Sequence, residues 1–96
     1  MTNNIEIDEL LWEERNEIHI SRHAVGREEV EEACERQVDV VAGKYDRYML
    51  FGKTKEKRYL TVILARVAGK TYYVVTARDS SRKEKRYAKE KEEPDT

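Results

Sequence analysis

The sequence predicts an α+β domain: a small antiparallel sheet with helices before it and one helix after it. Three observations carry that expectation. Val30, Ala33, Cys34 and Val38 recur at i, i+3, i+4 and i+8, the spacing of a narrow core-facing helical stripe. Two β-rich runs, Arg58 to Val67 and Thr71 to Arg78, are joined by Ala68-Gly69-Lys70 and read as a hairpin. Ser81-Arg82-Lys83-Glu84 has the form of a capping box, in which the hydroxyl and the carboxylate satisfy two backbone N–H groups at a helix start. The chain has 96 residues, one domain's worth, and residues 1–96 are read as a single domain with 89–96 as a frayed tail. A domain of this size buries only about 60% of the surface its unfolded chain exposes, so the core should be thin.

Taken in order, Ile5, Ile7, Leu10, Leu11 and Trp12 form an apolar opening that reads as an edge strand entering a helix. Glu13 to His23 is polar and poorly patterned, a short exposed helix broken by Ala24-Val25-Gly26. Gly26 then serves as an N-cap, with Glu28 and Glu29 in the first turn, where the helix dipole favours them. Past Gln37 the pattern becomes that of strands. Val38 to Ala42 closes at Gly43, and Tyr48 to Phe51 ends at Gly52. The Arg58–Val67 run is apolar on both faces, which predicts a central strand. The last helix starts at Ser81, runs to about Glu92 and is ended by Pro94; Tyr87 and Ala88 are its main apolar residues.

Net charge is −1, but its distribution is uneven. Residues 1–43 carry 12 Asp/Glu against 4 Lys/Arg, whereas residues 44–89 carry 14 Lys/Arg against 4 Asp/Glu. Such a division suits either a surface that faces a polyanion or two halves that neutralise each other in the fold. A single cysteine, Cys34, rules out an intramolecular disulfide and fits a reducing compartment. The first residues lack the basic and apolar regions of a signal peptide, and no apolar run approaches the length of a membrane helix. A cytoplasmic protein that does not enter a membrane is expected.

Chemistry has few places to reside. Arg78 ends a strand and Arg82, Lys83, Lys85 and Arg86 open the next helix, followed by Tyr87. A helix N-terminus already favours anions, and guanidinium forks with an aromatic ring suit a phosphodiester and a stacked base. The competing reading is a solvated charged face, with Glu84 structural as the capping-box carboxylate. Lys53, Lys55, Lys57 and Arg58 form a second basic cluster. An arginine fixed at the start of a strand can stabilise charge on a scissile phosphate; its structural alternative is a rim salt bridge with Glu56 or another carboxylate. His19 and His23 share the i, i+4 spacing of H-E-x-x-H zinc motifs, but Ile20-Ser21-Arg22 lies between them and nothing completes a ligand set. No metal and no cofactor are expected. His23 is a candidate general base because its intrinsic pKa lies near ~6.5. The four isolated glycines build no phosphate loop, and neither the serines nor Cys34 has an adjacent base.

These residues resemble a known family. His19-Ile20-Ser21-Arg22-His23-Ala24-Val25, followed by Glu28-Glu29-Val30-Glu31-Glu32-Ala33, is similar to the H-I-x-R-H-G-V … E-E-V-E-E stretch of BrnT-like (DUF497) toxins. Gly52-Lys53-Thr54 with Arg58-Tyr59-Leu60 resembles that family's G-x-T … R-Y-L. Val75-Thr76-Ala77-Arg78-Asp79 with Glu84, Arg86 and Tyr87 resembles its T-A-R-D … E-x-R-x-Y. In order and spacing the likeness spans Trp12 to Tyr87. It implies a RelE-like fold and metal-independent cleavage of RNA, inhibiting translation and neutralised by a cognate DNA-binding antitoxin. On this resemblance Arg58, Arg78 and His23 are the catalytic candidates, and Lys53, Arg82, Lys83, Arg86 and Tyr87 are the RNA-binding ones. Assembly as a homodimer or a hetero-oligomer with the antitoxin is left open. Ala24 departs from the family's glycine, and a left-handed backbone there would cost alanine ~1–2 kcal/mol. The alternative from another class is a binding module that keeps partner or nucleic-acid contacts without cutting.

Overall fold

The computed structural model describes residues 3–92. Its elements are β1 (Glu9–Leu11), α1 (Glu14–Ser21), α2 (Arg27–Glu35), β2 (Gln37–Ala42), β3 (Arg47–Lys53), β4 (Tyr59–Ala68), β5 (Thr71–Asp79) and α3 (Arg82–Lys91). The strands form one five-stranded sheet in the order β1-β5-β4-β3-β2. β4 is therefore the middle strand, as its two apolar faces predict.

One side of the sheet carries Val40, Leu50, Leu60, Val62, Leu64, Tyr72, Val74 and Ala77, which pack on Ile20, Val30, Ala33 and Cys34 of α1 and α2. Burying each such Leu, Ile or Val contributes about 1.5–3 kcal/mol. The other side is more polar. Asp39, Phe51 and Thr61 are buried there, and α3 lies against β2 and β3 with Ala88 fully buried.

Several expectations need correction. The sheet is mixed, because β1 pairs with β5 in parallel while every other pair is antiparallel. A three-residue strand carries no pattern that specifies direction; its pairing follows from where the chain returns after the hairpin. Val38 does not extend the helical stripe: α2 ends at Glu35 and Val38 lies in β2, at a bulge opposite β3. Gly52 does not end its strand but sits inside β3, opposite Leu60. A Cβ there would lie 2.1 Å from the Ala33 carbonyl oxygen, so the glycine marks the close approach of α2 to the sheet. Ile5 and Ile7 precede β1 rather than joining it. The backbone of Ile5 is instead held by Gln37, which donates from Nε2 to the Ile5 carbonyl at 2.8 Å and accepts its N–H at 3.0 Å. α3 continues to Lys91 and Glu92 caps it; Pro94 lies outside the described residues.

Two local details shape the surface. α1 stops at Ser21, and the following turn contains Ala24 at φ 56°, the left-handed conformation that glycine would take without strain. β1 covers only the first residues of β5. Beyond it, Asn16 of α1 donates from its amide to the carbonyls of Val74 at 3.0 Å and Val75 at 3.3 Å, satisfying two groups on the edge of β5.

Candidate nucleic-acid interface

The antiparallel pairing of β4 and β5 brings the ends of the two arginine-bearing segments together. Arg58 enters β4 and Asp79 leaves β5; Arg58 donates from Nε to Asp79 Oδ1 at 2.7 Å. Its Nη1 also reaches Glu29 Oε2 and the Ala24 carbonyl, each at 2.8 Å, and Nη2 reaches the His23 carbonyl at 3.4 Å. One guanidinium thus joins the turn after α1, the first turn of α2, the start of β4 and the end of β5. This is the salt-bridge alternative foreseen for Arg58, with Glu29 and Asp79 as the partners in place of Glu56. The hydrogen bond from Arg58 holds the Asp79 carboxyl below its ordinary range. Glu29 is lowered too: burial opposes its charge, but hydrogen bonds from Arg58 and the Gly26 N–H outweigh that.

Arg78, in β5 opposite Thr61, makes a forked pair with Glu84 at 2.5 and 2.8 Å and reaches the Asp79 carbonyl at 3.3 Å. Glu84 also accepts from the Ser81 N–H at 2.8 Å and from Thr61 Oγ1 at 3.1 Å, while Ser81 Oγ accepts from the Glu84 N–H. The capping box forms as its sequence predicts. Chiefly through Arg78, this network pulls the Glu84 carboxyl down to about 2. The Arg78 side chain is 38% exposed against 25% for Arg58, so Arg78 is the more open of the two.

The basic helix α3 divides its side chains between an outer groove and the sheet. Arg82, Lys85, Arg86 and Lys89 line a shallow outer groove. Arg82, Lys83 and Arg86 form no ion pair within 4.0 Å among the described residues, and each is exposed. Tyr87 turns inward instead. Its ring lies 5.2 Å from that of Phe51, and its hydroxyl donates to the buried Asp39. Tyr87 is thereby a fixed wall of an apolar groove shared with Val41, Phe51 and Lys83.

Lys53 stands apart from the other four RNA-binding candidates. It is the cross-strand neighbour of Tyr59 and pairs with Glu92 at 3.0 Å. Its ammonium lies 5.2 Å from the centre of the Tyr59 ring, where Lys89 and Lys85 also gather at 5.8 and 6.0 Å. Tyr59, Lys89 and Glu92 were not among the sequence candidates. The available signal was weak: Tyr59 alternates within an apolar strand, and only its pairing with Lys53 exposes the role.

The structure thus brings Arg58 and Arg78 to Asp79, and the His23 carbonyl to Arg58. The His23 imidazole lies on the exposed turn, 5.5 Å from that of His19. Among the described residues no group of three or more His, Cys, Asp or Glu is arranged to hold a metal ion. Cys34 is buried, and burial pushes its thiol up to about 12, so it is inert as a nucleophile. No helix among the described residues is long and apolar enough to cross a membrane.

Fold and surface together define a small α+β protein with a mixed five-stranded sheet, two helices closing one face and a basic helix on the other. No family model and no curated protein matches the sequence. Among solved structures the chain is similar to the ribonuclease toxin BrnT of Brucella abortus, known at 1.1 Å resolution, with a TM-score of 0.63 and 22% identity. The alignment covers 77% of this chain and 97% of that one. The likeness establishes a BrnT-like fold.

Proposed function

We propose that the chain is a ribonuclease toxin of a toxin–antitoxin pair, cutting RNA without a metal, acting in the cytoplasm and held inactive by a cognate antitoxin. The observation that carries this reading is the placing of two arginines at one strand end, Arg58 on the Asp79 carboxylate and Arg78 on the Asp79 carbonyl and Glu84, beside a basic helix in a fold shared with the Brucella toxin. RNA supplies its own nucleophile. The ribose 2′-oxygen attacks the adjacent phosphorus, giving up its proton, and the 5′-oxygen departs with a proton, leaving a cyclic phosphate. Arg78 stabilises the charge that gathers on the phosphoryl oxygens once a phosphodiester displaces Glu84 from its fork. Arg58 fixes the corner, His23 transfers a proton, and Lys53, Arg82, Lys83, Arg86 and Tyr87 hold the strand.

Induced expression in a bacterium, scored for growth arrest and RNA decay, tests the reading with Arg78→Ala as the control. Arg78 is the better choice because Arg58 also ties four segments together. Arrest with RNA loss is expected from the parent chain and not from Arg78→Ala. Arrest that persists in a folded Arg78→Ala protein, or no arrest by either, would overturn it. A second reading has its own support. Both guanidiniums are already neutralised by carboxylates, which is what a non-catalytic module derived from such a toxin would tolerate. Salt-dependent RNA binding without cutting would select that alternative.

A further inference from the structure

At the far end of α3 a carboxylate occupies an unfavourable position. Glu92 caps the C-terminus of the helix, where the dipole disfavours negative charge. It is held there by a basic, aromatic recess: Lys53 Nζ binds Oε2 at 3.0 Å, and the Tyr59 hydroxyl donates to Oε1. Lys85 and Lys89, one helical turn apart, bring their ammonium groups to 6.0 and 5.8 Å from the Tyr59 ring. Burial opposes the charge on Glu92, yet the hydrogen bonds from Tyr59 and Lys53 hold its carboxyl below the ordinary range. Lys53 and Tyr59 each meet one of the two oxygens of a single carboxylate, beside an aromatic ring.

We propose that Lys53, Tyr59, Lys85 and Lys89 form a phosphodiester-binding subsite for single-stranded RNA, which the chain's own Glu92 carboxylate fills when no RNA is bound. The inference rests on RNA being the ligand, as proposed above. A phosphodiester carries the same single charge and paired oxygens as the carboxylate it replaces. The Tyr59 ring and the flanking ammonium groups then offer an adjoining base a stacking and cation–π environment. The subsite adjoins the Arg78 corner, because Tyr59 lies two residues before Thr61 on the same face of β4 and Lys85 follows Glu84, so one strand can engage both.

The test separates binding from cutting by using a 2′-O-methyl RNA oligonucleotide, which lacks the nucleophile. Its dissociation constant is measured at several salt concentrations for the parent chain, Glu92→Gln, Lys53→Met and Glu56→Gln. The last removes the same charge from the β3–β4 loop, on the side that faces Glu28 and Glu32 of α2. Glu92→Gln should tighten binding roughly fivefold and steepen the dependence of log K on log salt by about 0.7, one further phosphate on a single strand. Lys53→Met should weaken binding, and Glu56→Gln should change it by less than about twofold. Equal effects of Glu92→Gln and Glu56→Gln would overturn the subsite while leaving a ribonuclease reading intact. A Glu92-dependent effect in a protein that never cuts unmodified RNA would keep the subsite and remove the ribonuclease. No binding by any folded variant would remove both.

Discussion

The two faces of the sheet are built on different principles. The face under α1 and α2 is closed by aliphatic side chains, several with no exposed surface, and by a glycine that lets a helix backbone touch the sheet. The face under α3 is closed by hydrogen bonds and ion pairs: Tyr87 to Asp39, Arg78 and Thr61 to Glu84, Lys53 and Tyr59 to Glu92. Apolar packing cannot be exchanged for a ligand without unfolding. Ion pairs can be exchanged for another anion at small net cost, because one charged partner replaces another. The division places apolar packing on one face and exchangeable ion pairs on the other, with Arg58 tying the helical side to the strand ends.

The largest effect should come from disturbing the apolar side. Gly52→Ala places a methyl group inside contact distance of the Ala33 carbonyl, and α2 must shift. A loss of about 3 kcal/mol or more is expected in denaturant unfolding; a variant as stable as the parent would disprove that close approach. Next comes the seam. Arg58→Ala leaves Glu29, Asp79 and two carbonyls without this donor and should cost about 2–3 kcal/mol. Arg58→Lys should recover less than half of that, since an ammonium group cannot reproduce the fork. Full rescue by lysine would show that the charge alone matters.

On the α3 face the expected effect is smaller and depends on pH. Glu84 titrates near 2 in the folded protein against an ordinary value of 4.5. Its pairing therefore stabilises the fold above about pH 4.5 and is lost as pH falls toward 2. Because Arg78 is partly exposed, Glu84→Gln should cost only about 1–2 kcal/mol at pH 7, with the two unfolding curves converging near pH 2. A difference that does not change with pH would assign the loss to the cap rather than to the ion pair. The smallest change should be a gain. Ala24→Gly relieves a left-handed alanine but adds chain entropy on unfolding, for a net stabilisation of about 0.5 kcal/mol.

Local signals were legible where one segment contained all the chemistry. The capping box at Ser81 and Glu84, the hairpin around Gly69 and the central position of β4 all depend on residues close in sequence, and all form. The strain at Ala24 was equally readable, through a glycine expected from the family resemblance. Features set by distant contacts were not. Gly52 looks like a strand terminator until α2 is laid over it, and β1 has no intrinsic direction. For the candidate site, the basic cluster on α3 and the salt-bridge alternative for Arg58 were visible, but Glu29 and Asp79 lie 29 residues before and 21 after it. Tyr59 and Glu92 acquire meaning only through a contact 33 residues long.

Asn16 has a consequence for how the molecule meets others. A sheet grows where an outer strand shows a row of free carbonyls and N–H groups, and β5 would show one beyond the reach of β1. By taking the carbonyls of Val74 and Val75, a single amide does the work of several residues of strand. The sheet is blunted on that side without the chain spending a further strand on it.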